Sequence, residues 1–394
     1  MKRRSLILLV LLIANTVLSQ TIQDVIDEVS NANLQLSVSE ISGEQPTMIN
    51  GTMQTITSRV QSDNDLAANY IEERLAAFPN LIVTVQEFNT VGKNIIATQL
   101  GQSNPDDIYI VCAHYDSVAT FCADDNATGV SAVIEIARIL GSYDLDSTIV
   151  YALWDEEEIG LRGADFYAQL AANMSNGNTR DNILGVINMD MIGYDGDAPG
   201  TAGDNQFDID VRPIANSLEI KDDLLNLLNT YTFDLNPVVV NPGTTASDHA
   251  RFWNQGYAAV LVGESWETND QTPNYHSSND RVEDIDFQYM TEITKLVTAY
   301  MASEAGLIPS LSVDVFSNSE LQVFPNPVSS VLKIKNSNLV NLAITINDIT
   351  GKVIHSEKSN QHDIEIDVEN KSSGIYFVKV ASKVKASIFK IVKE

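Results

Sequence analysis

The sequence predicts an α/β fold: a three-layer αβα domain around a mostly parallel central sheet, followed by a small all-β, sandwich-like module. Three observations carry this. From about residue 65 to residue 305, apolar runs of strand length alternate with stripes of helical period. Several of those runs end in ionisable residues, as strands of an open parallel sheet do at the edge that carries a site. After Leu307 the acidity ends, and short alternating runs separated by turn residues take over.

Taken in order, residues 20–60 are polar with a few helical patches. Over 65–78, Ala68, Ile71, Leu75 and Phe78 form the stripe of an amphipathic helix. Residues 81–88 and 94–100 read as short strands, and 108–113 as a buried one. Val130, Val133, Ile134, Ala137 and Leu140 mark the next helix. A buried strand over 147–154 runs into Asp155, Glu156, Glu157 and Glu158, and a helix is expected over 163–170. A third buried strand, 183–189, ends at Asp190. Residues 223–231 and 248–254 look helical, with a fourth strand over 257–262. Phe287, Met290, Ile293, Leu296, Val297 and Tyr300 form the stripe of a closing helix. In the tail, strands are expected over 331–334, 343–346, 352–355, 364–368, 375–380 and 386–392, with turns at Asn326, Thr350 and Ser373.

The chain has 394 residues, 44% of them hydrophobic, enough for one large domain plus an appendage. Its formal net charge of -29 opposes binding to nucleic acid or to an anionic membrane. Lys2, Arg3 and Arg4, the apolar run 5–18 and a small residue at Ser19 read as a secretory signal peptide over 1–19. That run is short for a membrane span, and no stop-transfer cluster follows it. No transmembrane segment is expected once the signal is removed. Two cysteines, Cys112 and Cys122, flank His114. Export permits a bridge between them; the rival reading has Cys112 as a small apolar strand residue and Cys122 as a free thiol.

The stretch HYDSVATFCADDNATG, from His114 to Gly129, concentrates an imidazole and carboxylates in one loop. Neutral imidazole and ionised carboxylate are ordinary zinc ligands, and Asp116 is placed to hold the second nitrogen of His114. Of five His, His355 and His362 fall in the tail, which leaves His114, His249 and His276. Two His and three acids suit a pair of zinc ions about 3.5–4 Å apart that share one carboxylate. The adjacent Glu157 and Glu158 can then divide their work, one binding metal and the other taking a proton from water.

These residues carry a resemblance. AHYDS, ADDNATG, EEIGLRG, NMDMIG and a late YHSSND occur in the order found in the secreted dizinc aminopeptidases, and the resemblance covers roughly residues 60–305. It implies two Zn2+ per chain. His114 and Asp190 would bind the first, Glu158 and His276 the second, and Asp125 would bridge them. It implies Glu157 as general base and Tyr275 as the group that steadies the oxyanion. Asp116, Asp248 and Asp280 would support the ligands, with Ser247, Asp248 and His249 structural rather than ligating. The implied reaction is hydrolysis of a peptide substrate at its free amino terminus. In the tail, LQVFPNPVSSVLKI, INDITGKVIHS and SSGIYFVKV resemble the C-terminal sorting domain of type IX secretion cargo, which implies that secretion machinery as a partner and a secreted or cell-surface location.

The expected divisions are therefore a signal peptide (1–19), an N-terminal segment that could be a pro-segment (20–60), a peptidase domain (61–307), a linker (308–319) and a sorting domain (320–394). Two other readings stand beside the aminopeptidase. One is another zinc hydrolase of the same fold: a carboxypeptidase, a dipeptidase, or a glutaminyl cyclase, at which Trp154, Asp155, Glu156 and Glu157 hint. The other is a non-catalytic, surface-displayed binding protein.

Overall fold

The computed structural model describes residues 21–173, 179–196, 203–308, 316–317, 319–349, 351–382 and 385–394. The expected signal peptide and most of the expected linker lie outside them. One compact unit spans Gln20–Pro309 and a second contains Ser310–Glu394.

The first unit opens with α1 (Ile22–Asp27) and α2 (Asn31–Ile41). Thr21 and Asp24 close a reciprocal capping box on α1, and Ser30 caps α2 by accepting the Asn33 N–H. A hairpin of β1 (Thr47–Ile49) and β2 (Thr52–Gln54) precedes α3 (Asp65–Ala76). There follow β3 (Ile82–Glu87), β4 (Lys93–Gln99), β5 (Asn104–His114), α4 (Gly129–Leu140), β6 (Ser147–Trp154), α5 (Arg162–Ala172) and β7 (Asn182–Met189). The unit closes with β8 (Gln206–Asp210), α6 (Ser217–Thr230), β9 (Asn236–Val240), α7 (His249–Asn254), β10 (Ala259–Glu264) and α8 (Phe287–Glu304).

Eight strands form one sheet in the order β3-β4-β6-β5-β7-β10-β8-β9. Its centre, β6-β5-β7-β10, is parallel, and β4 and β8 join it antiparallel on either side. Because successive strand residues face opposite ways, each central strand feeds two cores. Val111, Ala113, Ile149, Tyr151 and Ile187 pack with α3, α4 and α8. Ile110, Cys112, Val150, Ala152 and Val186 pack with α5 and α7. This is the expected three-layer αβα arrangement.

One boundary moves. Val25, Leu34, Val38, Ile41 and Ile49 have no exposed surface and belong to the same core as α4 and α8. Glu135 of α4 accepts hydrogen bonds from the Ser30 N–H and the Asn33 amide. Residues 21–60 are thus built into the unit, where the sequence reading begins the domain at residue 61. Each fully buried aliphatic side chain in this segment contributes about 1.5–3 kcal/mol. Their apolar residues are spread thinly among polar ones, which is why the stripe is faint in the sequence. The last two strands of the sheet, β8 and the edge strand β9, and the start of α6 also go unread, because their runs are short and flanked by Asp and Asn.

The second unit holds β11 (Leu321–Phe324), β12 (Val331–Asn336), β13 (Leu342–Asp348), β14 (Val353–Ser359), β15 (Asp363–Asp367), β16 (Gly374–Ala381) and β17 (Ala386–Lys393). They form two antiparallel sheets, β11-β12-β15 and β14-β13-β16-β17. Leu332, Ile334, Ile344, Ile346, Ile366, Val378 and Val380 bury alternate positions between them. This is the expected all-β module, with β11 added.

Candidate functional site

The site forms where the parallel strands end. His114 is the last residue of β5 and lies in register with Trp154, the last of β6. Asp190 follows β7 by one residue. Between β5 and α4 the chain crosses the sheet edge through residues 123–128, where Asp125 and Asn126 leave helical geometry. Asn126 buckles this segment to β7: its amide donates to the Met189 carbonyl, and its oxygen accepts from the Gly129 and Met191 N–H groups. Gly129 has to be a glycine, since a Cβ there would lie 2.6 Å from the Met189 oxygen. Close approach of α4 to β7 therefore places Asp125 beside His114.

Asp125 presents one carboxylate oxygen to each of two imidazoles. Its Oδ1 lies 3.4 Å from Nε2 of His114, and its Oδ2 lies 3.4 Å from Nε2 of His276. Asp190 Oδ1 approaches the same His114 nitrogen at 3.2 Å, and Glu158 Oε2 approaches the His276 nitrogen at 3.2 Å. The five residues therefore form two triads that share Asp125. Buried Asp125 Oδ2 and Glu158 Oε1 receive no hydrogen bond. An orphaned Asp125 oxygen facing an imidazole nitrogen, beside an orphaned Glu158 oxygen, suits a divalent cation, and the N and O donors suit zinc.

The surroundings orient these groups. Asp116 accepts the N–H groups of Glu157 and Glu158 on its two oxygens, at 3.1 and 3.2 Å. Its Oδ1 is also 3.6 Å from Nδ1 of His114, so one buried carboxylate ties the His loop to the Glu pair. Ser247 donates to Asp190 Oδ2 at 2.6 Å and accepts from the Asn188 amide. Asp280 accepts the N–H groups of Asp124 and Asp125. Asp248 is fully buried with neither oxygen hydrogen-bonded. Burial, opposed by His114 and reinforced by Asp190, holds its carboxyl well above the usual range. His249 turns away, its Nε2 against the Thr244 carbonyl, and burial depresses it to about 4.

Burial, reinforced by carboxylate crowding, dominates the electrostatics. Burial pushes Glu157 up to about 10 and Glu158 to about 8. Burial alone would lower His114, but Asp190 and its neighbours outweigh it and raise the ring well above its ordinary value. Tyr275 is half-exposed, stacks on His276 and meets Trp266 edge-on. Burial first, then the surrounding carboxylates, raise its phenol, which stays a hydrogen-bond donor.

All ten residues read from the sequence gather around this point. A region matching peptidase family M28 spans residues 94–301, which include every one of the five ligand candidates. The chain belongs to peptidase family M28. Residues 322–394 match the secretion system C-terminal sorting domain. Similar curated proteins include leucine aminopeptidase 1 of Trichophyton equinum, 28% identical over 57% of this chain and 61% of the relative. A probable zinc metalloprotease of Pyricularia oryzae is 38% identical over 25% of this chain and 21% of its own length. The matches span between about a fifth and three fifths of the curated relatives' lengths. Among solved structures, the Legionella pneumophila LapA aminopeptidase superposes with a TM-score of 0.60 at 18% identity, covering 72% of this chain and 74% of that one. Porphyromonas gingivalis glutaminyl cyclase gives 0.53 at 17% identity, covering 71% and 99%. At these identities the likeness is one of fold.

Within this M28 domain, Cys112 and Cys122 are both free and buried. Cys112 faces the Ile187 carbonyl and Asn188, while Cys122 points to the carbonyls of Ala119 and Ser277, so the rival thiol reading holds. Glu156, the extra acid of the run, is engaged by Gln61, Asn89 and Arg162. Sequence reasoning missed Asn126 as a buckle, Trp266 beside Tyr275, and Arg59 behind the metal loop. No local pattern marks Arg59. Among the described residues, no helix is long and apolar enough to cross a membrane.

Proposed function

We propose that this M28 member is a zinc-dependent aminopeptidase that removes the first residue of peptides, with two Zn2+ shared through Asp125. The observation that carries the reading is the split of Asp125 between the two imidazoles, 3.4 Å on each side. His114 and Asp190 would hold one ion, and Glu158 and His276 the other. Bound zinc supplies Lewis acidity, which activates water and polarises a carbonyl.

This chain's own residues do the rest. Glu157, pinned by its N–H to Asp116, takes a proton from the attacking water and returns it to the leaving amine. Tyr275 donates to the developing oxyanion. Asp116, Ser247 and Asp280 hold the ligands in place, and Asp248, which burial keeps toward the neutral acid, lies close enough to feel His114 and Asp190.

The cyclase reading draws on Trp154, Asp155, Glu156 and Glu157, and the first three have structural jobs here. Trp154 packs in the second core against Tyr167 and Phe252, Asp155 accepts from Asn64, the Lys93 N–H and Tyr115, and Glu156 is engaged as described. That leaves the peptidase reading favoured. We further propose that the sorting domain directs the chain, after signal removal, through type IX secretion to the surface or medium.

Hydrolysis of Leu-p-nitroanilide beside its amino-blocked analogue tests the activity. Turnover of the free amine alone is expected. Equal turnover of both substrates, or cyclisation of an N-terminal glutamine instead, would contradict the reading.

A further inference from the structure

Arg59 lies in the N-terminal segment, far in sequence from every ligand candidate, yet it reaches the metal loop. It is 2% exposed. One terminal nitrogen donates to the Ile41 carbonyl at the end of α2, at 3.2 Å. The other donates to the Cys122 carbonyl at 2.7 Å and to the Asp125 carbonyl at 3.3 Å. The Arg59 carbonyl accepts the Ser117 N–H at 3.1 Å, which joins it to the other limb of the loop. The Asp125 peptide is therefore gripped from two sides: Asp280 takes its N–H at 2.9 Å, and Arg59 donates to its carbonyl.

We propose that Arg59 is a positioning residue for the shared carboxylate, its planar guanidinium fixing Asp125 between His114 and His276 by holding the carbonyls of Ile41, Cys122 and Asp125 together. The inference rests on the two-zinc reading above. A buried guanidinium is costly unless its donors and charge are answered. Here the two terminal nitrogens meet three carbonyls while Nε has no partner, and burial lowers Arg59 against the opposing fields of Asp280, Asp125 and Asp116. The fork matters more than the charge, because a lysine ammonium is a point donor that does not reproduce three fixed directions. In this role the end of α2 is a buttress of the metal loop, tied to it by the Arg59 side chain.

The test uses full-length Arg59→Lys, which keeps the charge, and measures zinc dissociation constants by competition with a fluorescent chelator. Arg74→Gln is the control. Arg74 ties Glu40 and Thr47 to α3 in the same segment with no contact to the metal loop. Zinc affinity about 10–100-fold weaker in Arg59→Lys is expected, the usual cost of losing a group that orients a ligand. Arg74→Gln is expected to lower the melting temperature of the metal-free protein without that loss. Zinc affinity within twofold of wild type in folded Arg59→Lys would overturn the proposal while leaving the metal reading intact. If the lysine variant does not fold, Arg59→Gln is read by the same criterion. A wild-type chain that takes up no zinc would overturn the metal reading, and this proposal with it.

Discussion

Glu157→Gln separates the roles of two adjacent carboxylates. Glu157 is 8% exposed, and one of its oxygens lies within 4.8 Å of ligating atoms on His114 and Asp190. By distance alone it could be a ligand. Its backbone is fixed by Asp116, so glutamine enters the same place with nearly the same volume. The substitution removes the group that moves the proton and leaves both shared triads intact. General acid–base catalysis contributes about 10²–10⁴-fold, equivalent to about 3–5 kcal/mol of barrier. The assay is steady-state hydrolysis of Leu-p-nitroanilide together with zinc content. The expected result is kcat lower by that factor, KM little changed, and wild-type zinc. A kcat within about fivefold of wild type would refute the base assignment. Loss of zinc would make Glu157 a ligand.

Three further outcomes follow from the structure. Leu34→Ala, deep in the N-terminal segment, should lower unfolding free energy by about 2–5 kcal/mol in urea titrations; a change under 0.5 kcal/mol would return residues 20–60 to the status of a removable pro-segment. In metal-free protein, Glu157 at about 10 and Glu158 at about 8 hold protons that the unfolded chain releases near 4.5. The folded state therefore loses stability as pH rises from about 4.5 toward 10, and the urea midpoint should fall between pH 7 and pH 10, less steeply in Glu157→Gln; a flat or rising midpoint would contradict this. Without reductant, a thiol reagent should titrate two groups per unfolded chain and none in the folded one, where burial also pushes Cys122 up to about 11; no reactive thiol after unfolding would indicate a disulfide.

What the sequence made legible has a physical pattern. Apolar strands such as β5 and β6 are buried on both faces, so their composition announces them, and the acids at their ends mark the site edge. His276 was readable only through the YHSSND motif, since it sits in a loop whose path nothing local dictates. α1 and α2 were nearly invisible because few apolar residues make their contacts. Arg59 illustrates the limit: its partners are backbone carbonyls, which any residue supplies, so no sequence pattern can name them. Asp248 was marked by its Ser-Asp-His run, yet its lack of hydrogen bonds is evident only once the surrounding packing is known.

The central claim is that Asp125 joins two metal positions, and elemental analysis of the purified full-length chain tests it most directly. Two zinc per wild-type chain are expected. Asp125→Asn, which keeps the shape but weakens the shared ligand for both positions, should retain less than one under the same dialysis. One zinc or none in wild type, or two undiminished in Asp125→Asn, would contradict the account.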